Sequence, residues 1–275
     1  MSLLEIICLA ILSLFVVFQL HYRPHPARLL RRLSLLAIAA WLGEDTVIRA
    51  YHFYSYSPSW NFFIDQVPAM IVLIWPVVIY SAWNLVGYLL PTSAAGWIVL
   101  AGSGIVLADA SLIEPIAVQA GLWHWHEPGI FNVPPIGILG WAYFAGCCIF
   151  ILEKNSRDQR NSAWDALVLV IPAICTHLLL LLTWWGALRW VNDPLAPGPV
   201  VVMAWGLSLV LTYRAWRKES AENVPLSEML LRIPAVLFFV VLLIWYGRTN
   251  WPLIAYVLAC SLPYLALTFR SDKKK

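Results

Sequence analysis

Charged side chains are scarce in this sequence. Only 12% of its 275 residues are Asp, Glu, Lys or Arg, whereas 61% are hydrophobic. A soluble globular domain carries about 25% charged residues, so a soluble protein of this length is excluded. We expect residues 1–275 to form one domain embedded in a membrane, with no sizeable soluble part.

Neither the cysteines nor any sequence motif indicates a bound metal or cofactor. The five cysteines are odd in number, and all lie in apolar segments without disulfide or zinc-ligand spacing. They are interpreted as small buried hydrophobic residues. No glycine-rich phosphate-binding motif is present either. The sequence therefore gives no reason to expect a metal, a cofactor or a nucleic-acid partner.

Long apolar runs make up most of the chain. A membrane-crossing helix needs about 20 mostly apolar residues. Nine segments approach that requirement, which predicts an all-α bundle of about nine spans. The second is the weakest, because Glu44, Asp45 and Arg49 occupy its end. The predicted spans are 3–20, 30–50, 67–90, 95–118, 136–152, 164–188, 198–216, 230–247 and 251–269.

Lysine and arginine are distributed unevenly around these spans. If nine helices alternate in direction, 15 of the 18 basic residues fall on one side and only Arg49, Arg189 and Arg248 on the other. Loops rich in Lys and Arg remain in the cytoplasm. We therefore expect the N-terminus outside and the C-terminus in the cytoplasm, in the cytoplasmic (inner) membrane of a prokaryote.

Among the carboxylates of the apolar segments, four are candidates for the site: Glu44, Asp45, Asp109 and Glu114. A carboxylate in a membrane is costly, and it marks a functional site or a buried pair. For Asp45 an ion pair with Arg49 is favoured, because residues four apart share one helical face. Asp109 and Glu114 are five residues apart, about 140° around a helix, so they cannot both face one neighbour.

Proline shapes the predicted outer end of the fourth span. Glu114 precedes Pro115, a position biased away from helix, which predicts a helix break that lines a cavity. Three more prolines and Gly129 follow in "GLWHWHEPGIFNVPP", residues 121–135. Because these residues interrupt helices, we expect this segment to form a largely non-helical lid.

Histidines in and near this segment raise the question of a metal. His124 and His126 could share one, with Glu127 or His52 as a further ligand. No established metal-binding motif supports this, and hydrogen bonding at the membrane interface is the favoured interpretation. His177, isolated on an apolar span, is interpreted first as a packing residue, and it remains a candidate substrate contact.

Tryptophan and tyrosine are concentrated around the same predicted end. Aromatic belts occur at membrane interfaces in general. The density here exceeds what anchoring requires, and it suits a cavity for an apolar polyene or a carbocation stabilised by cation–π attraction.

Two blocks resemble the integral-membrane carotenoid biosynthesis proteins, a family that includes carotenoid 1′,2′-hydratases and archaeal bisanhydrobacterioruberin hydratases. The first block contains "YSYS" (54–57), Val67–Pro68, Trp75 and "YSAW" (80–83). The second contains "EPIAVQAGLWHW" (114–125) and "NVPPIGILGW" (132–141). The likeness covers residues 41–152, whereas the helices of 164–269 match only in being apolar. The aspartate that the family has four residues before the acid–Pro pair is Ala110 here.

The resemblance implies addition of water to the terminal double bond of an acyclic carotenoid end group, without a cofactor. It assigns the acid to Asp109 or Glu114 and the orientation of water to Glu44 or Asp45. A carboxylic acid removed from water holds its proton more firmly, as this role requires. The implied substrate contacts are Tyr54, Tyr56, Trp75, Trp123, Trp125, Trp141 and His177. The expected partners are a hydrophobic isoprenoid or carotenoid and membrane lipid.

Two other functions fit the same residues. A membrane isoprenoid cyclase would use the same acid but exclude water. A non-enzymatic carotenoid or lipid binder would need the aromatic pocket but not the carboxylates, so the buried acids favour an enzyme.

Overall fold

The protein is a bundle of helices with two small antiparallel strand pairs. The computed structural model describes residues 2–158, 162–188, 193–217 and 224–271. Its helices are α1 (Leu3–Tyr22), α2 (Pro26–Tyr51), α3 (Ala69–Leu89), α4 (Ala95–Gln119), α5 (Pro135–Asp158), α6 (Ile171–Thr183), α7 (Pro197–Arg217), α8 (Leu226–Leu230), α9 (Ile233–Tyr246) and α10 (Trp251–Ser271). Its strands are β1 (Tyr54–Tyr56), β2 (Phe63–Ile64), β3 (Val67–Pro68) and β4 (Trp123–Trp125). A 3₁₀ helix (Ser162–Leu169) precedes α6, and a π-helical turn (Trp184–Leu188) follows it.

Helices occur at all nine positions predicted to span the membrane. Within the described ranges, six segments are long and apolar enough to cross a bilayer: Leu3–Tyr22, Ala69–Leu89, Ala95–Gln119, Pro135–Asp158, Ala163–Ala187 and Leu226–Tyr246. The weak second segment, α2, is not among them. The chain is thus an all-α integral membrane protein, while the count of nine crossings and the direction of the termini stay predictions.

Prolines lie at the start of two helices, α6 and α9. Pro172 lies in the first turn of α6, directly after the 3₁₀ helix, and Pro234 lies in the first turn of α9, directly after α8. Proline fits a first turn because the backbone N–H that it lacks would be unpaired there. The predicted break at Pro115 is wrong, however, since α4 continues through it to Gln119. Transmembrane helices tolerate such a proline when neighbouring elements support the backbone.

Small residues bring α4 and α5 close together. A β-carbon on Gly102 would collide with Ile149, and one on Gly146 would collide with Ser103. Close backbone approach at small residues is a usual basis of helix association in membranes. This packing fixes the position of α4, which carries Glu114, relative to α5, which carries Trp141.

Ion pairs hold one end of the bundle together. Arg23 at the end of α1 pairs with Glu228 of α8, and Arg31 and Arg32 of α2 pair with Asp165 of the 3₁₀ helix. Asp165 is fully buried and also accepts a hydrogen bond from Asn155 of α5. Five helical segments are therefore joined at this end, opposite the connections that carry the strands.

The other end of the bundle, called here the loop side, carries residues 52–68 and 120–134. β1 pairs with β4, and β2 pairs with β3. Between α4 and α5 the chain forms β4 and then turns, so the predicted non-helical lid is confirmed. At Gly129, with φ of +46°, any β-carbon would collide with the backbone of Val133 and Pro134. Only glycine fits this point of the lid.

Candidate active site: two carboxyl groups in an aromatic cavity

Glu114 is held by three tryptophans. Its side chain is 2% exposed. Oε2 accepts the indole N–H bonds of Trp123 at 2.8 Å and Trp125 at 2.9 Å, and Oε1 accepts that of Trp141 at 2.7 Å. No lysine, arginine or histidine of the described chain forms an ion pair with this carboxyl group. Both oxygens thus face only neutral N–H donors.

Glu44 is held in the same manner by a different trio. Its Oε2 accepts the hydroxyl hydrogens of Tyr54 and Tyr56, the latter at 3.0 Å. Its Oε1 accepts the indole N–H of Trp75 at 2.8 Å. This carboxyl group also has no ion pair within the described ranges, and it is partly buried in the cavity wall.

The pairing of β1 with β4 supplies four of the six donors, two for each carboxyl group. Tyr54 lies opposite Trp125, and Tyr56 lies opposite Trp123. Alternate residues of a strand point to the same face, so each strand presents two aromatic side chains to the interior. The intervening residues, Ser55 and His124, face the other way and hydrogen-bond to each other at 3.0 Å. The "YSY" and "WHW" spacings therefore serve the two carboxyl groups.

The two phenols remain neutral. Burial raises the pKa of Tyr54 and Tyr56 well above the usual range of a phenol, and the neighbouring Glu44 carboxyl raises it further. A phenol that keeps its proton stays a hydrogen-bond donor. The charge balance of the site then depends on the two glutamates alone.

A cavity of about 150 Å³ adjoins both carboxyl groups. Its wall is formed by the strands of the loop side and by side chains from α1 to α6 and α9. The six aromatic residues predicted as substrate contacts all line it: Tyr54, Tyr56, Trp75, Trp123, Trp125 and Trp141. Apart from the two carboxyl groups and their donors, the cavity is nearly all apolar.

Asp109 lies elsewhere. It pairs with Arg232, the residue that directly precedes α9, and accepts a hydrogen bond from Tyr264 of α10 at 2.7 Å. The expected angular separation on α4 is confirmed, because Asp109 faces α9 and α10 while Glu114 faces the tryptophans. The structure does not bring Asp109 into the aromatic cavity.

Asp45 also lies outside the cavity lining. The predicted ion pair with Arg49 is confirmed, with Nε 2.8 Å from Oδ2. The second carboxylate oxygen of Asp45 accepts the backbone N–H of Gln66 at 3.3 Å. This arrangement fastens the loop-side connection to α2.

The histidines act in packing and at the surface. His177 hydrogen-bonds with Tyr51 at 2.9 Å and with Thr46 at 2.8 Å, which joins α6 to α2 outside the cavity lining. His124 and His126 are exposed. Among the described residues, no group of three or more His, Cys, Asp or Glu side chains is placed to hold a metal ion.

A comparison with known families shows which family the chain belongs to. The sequence model of a family described as "Carotenoid biosynthesis protein" matches residues 3–211. The chain belongs to this family. No curated protein and no solved structure matches the chain. The resemblance drawn from the sequence is thereby confirmed, and with it a role in carotenoid biosynthesis.

The family match is wider than residues 41–152, which carry the sequence resemblance. It includes both glutamates and all six of their aromatic donors. It ends within α7, so α8 to α10 lie beyond it.

Several wall residues carried no signal in the sequence. The far side of the cavity is formed by Cys8 and Leu12 of α1 and by Phe238 and Phe239 of α9. These residues occur in uniformly apolar runs, in which every position looks alike. Only the packing of α1 and α9 against the bundle selects the ones that face the cavity.

Proposed function

We propose that this carotenoid biosynthesis protein is a hydratase that adds water to the terminal double bond of an acyclic carotenoid end group. One observation carries the proposal. Two carboxyl groups, Glu114 and Glu44, face one apolar aromatic cavity, and neutral donors alone bind them. Hydration requires one group that gives a proton and one that takes it, and this pair supplies both.

Glu114 is assigned as the acid. Two carboxyl groups near one low-dielectric cavity repel each other when both are charged, so a state with one proton between them is favoured. Phenols are better hydrogen-bond donors than indoles. The negative charge is therefore stabilised more strongly on Glu44, which has two phenol donors, than on Glu114. The proton then belongs to Glu114, which lies among indoles only.

The three indoles would assist the transfer. As Glu114 gives its proton to the less substituted alkene carbon, negative charge develops on its oxygens. Donors already aimed at those oxygens stabilise that charge without reorganising. The carboxylate and the aromatic faces together stabilise the tertiary cation.

Glu44 is assigned to water. A water molecule hydrogen-bonded to this carboxylate adds its oxygen to the tertiary carbon, and the released proton passes to Glu44. The net change is one water added across the double bond. At the end of the reaction Glu44 is protonated and Glu114 is not. A proton therefore has to pass from Glu44 to Glu114 before the next cycle.

The second carboxyl group favours an enzyme over a binding protein. A cyclase would use both groups too, one as the acid and the other as the base that removes a proton from the final cation, so hydration is preferred over cyclisation on the resemblance to the carotenoid hydratases. A binding protein needs neither group in its cavity, where each one costs desolvation.

Expression in a carotenoid-producing bacterium tests the proposal. The expected result is a carotenoid heavier by one water molecule, formed with the wild-type chain and absent with the empty vector. An isomeric product of unchanged mass would identify a cyclase instead. Unchanged carotenoids together with co-purified pigment would identify a binding protein.

A further inference from the structure

A second cavity, of about 130 Å³, lies beside the first. It is lined by residues of α1, α3, α4, α9 and α10, and by Leu231 and Arg232, which directly precede α9. Six side chains line both cavities: Ile11 of α1, Val77 and Val78 of α3, Ile113 of α4, and Ala235 and Phe239 of α9. The two spaces therefore share a wall region and adjoin each other.

The second cavity extends away from the loop side. On α1 the lining moves from Cys8 to Phe15, and on α3 it moves from Ile71 to Ser81. Both helices run away from the loop side, so both shifts point the same way. Ten residues of α3 correspond to about 15 Å along the helix axis. Together the cavities are longer than a single isoprenoid end group.

The second cavity opens on the lateral surface of the bundle. Val236 and Val240 line it, yet they are 52% and 38% exposed. A side chain that lines the cavity and is also exposed on the protein surface lies at an opening of the cavity, called here the mouth. α1 packs mainly on α2 and α3, and α9 packs on α4 and α8, so neither helix closes the space between them. Because α1 and Leu226–Tyr246 are apolar enough to cross a membrane, this mouth faces lipid.

The polar groups of the second cavity are neutralised. Arg232 pairs with Asp109 and donates to the Ser81 hydroxyl at 3.3 Å, and its guanidinium lies 5.4 Å from the Tyr264 ring. A buried charge that is paired and hydrogen-bonded can lie beside hydrocarbon. The rest of the lining is mostly apolar, which suits an alkyl or polyene chain.

We infer that the substrate is an elongated acyclic isoprenoid that enters sideways from the bilayer between α1 and α9. Its end group reaches Glu114 and Glu44, and the following part of its chain occupies the second cavity, with the remainder left in lipid. On this route the hydrocarbon chain never enters water. It stays in apolar surroundings, where its free energy is lower. The inference rests on the proposed function for the identity of the end group.

Two neighbouring residues of α9 provide a matched test. Val236 and Leu237 are exposed to similar extents, 52% and 57%, but only Val236 lines the mouth. V236W obstructs the mouth, whereas L237W places the same side chain toward lipid. Both positions are exposed, so neither substitution disturbs the core. V240W, with V241W as its control, repeats the design one turn further along α9.

The experiment measures how tightly a full-length acyclic carotenoid binds to the purified full chain. Quenching of tryptophan fluorescence reports the binding. Each variant carries one added tryptophan, so the backgrounds match. We expect V236W to bind the full-length carotenoid at least about tenfold more weakly than L237W. The larger tryptophan side chain takes up space at the mouth that the carotenoid chain needs. A short acyclic isoprenoid, used as competitor, should bind both variants equally.

The outcomes separate this inference from the proposed function. Equal binding of the full-length carotenoid to V236W and L237W would overturn the lateral route, whatever reaction follows. Weaker binding to V236W, in a protein whose wild type adds no water, would leave the route standing and remove the hydratase assignment.

Discussion

The indole of Trp75 lies against the indole of Trp141, with ring centroids 4.5 Å apart. Trp75 donates its N–H to Glu44, and Trp141 donates its own to Glu114. Tyr54 and Trp125 repeat this relationship at 4.6 Å on the paired strands. The surroundings of the two carboxyl groups are thus in direct contact, and a change at one affects the position of the other.

Glu114→Gln removes the transferable proton while it keeps the side-chain volume. The amide oxygen can still accept the bonds of Trp123 and Trp125. We expect product formation to fall at least about a hundredfold, the lower range of a general acid's contribution. Extracted folded protein should stay near the wild-type amount, as size-exclusion chromatography will measure. Full activity of the variant would remove Glu114 as the proton source.

Asp109→Asn should act on stability instead of chemistry. It leaves the buried Arg232 without its ionic partner, a loss of about 3 kcal/mol or more. The expected result is less folded protein and a lower unfolding temperature in detergent, with turnover per folded molecule retained. The double variant D109N/R232M should recover part of the stability. A turnover loss as large as that of E114Q, at normal stability, would return Asp109 to the candidate acids.

Two tryptophans form a matched pair for testing the donors. Trp141 donates to Glu114 and Trp83 donates to Glu153, both at 2.7 Å, but Trp83 lies outside the cavity. W141F should slow turnover about tenfold or more, because hydrogen bonds to charged groups are the strong ones. W83F should change stability alone. Equal turnover of the two variants would show that the donors to Glu114 have no part in the reaction.

Gly137 sets the position of Trp125. A β-carbon there would overlap the Trp125 ring, whereas Gly104 of α4 has open space around its α-carbon. We therefore expect G137A to displace Trp125 and reduce product formation severalfold. G104A should leave activity unchanged, since alanine is tolerated in an open helical position. Product yield per folded molecule, compared between the two variants, checks this.

Local signals in the sequence predicted much of the fold. Apolar runs located the helices, and Pro128, Pro134 and Pro135 with Gly129 located the lid. The apolar runs and these prolines depend on residues close together in the chain, where periodicity and backbone restriction act directly. The aromatic residues of "YSYS" and "WHW" were assigned to the site by the family resemblance.

Long-range pairings could not be predicted in the same way. Asp109 meets Arg232 from 123 residues away, and Ser55 meets His124 from 69 residues away. No local pattern specifies either partner. The sequence therefore left both Asp109 and Glu114 as candidates, and only the contacts around each one separate them. The unbroken course of α4 through Pro115 likewise depends on the elements packed around it.

Reaction in oxygen-18 water tests the central claim most directly. The purified protein is incubated with an acyclic carotenoid, and the products are analysed by mass spectrometry. We predict a product that gains one labelled oxygen, at the tertiary carbon of its end group, with the wild type and none above background with E114Q. An isomeric product without the label, or labelled product formed equally by E114Q, would contradict the assignment of Glu114 and Glu44 to hydration.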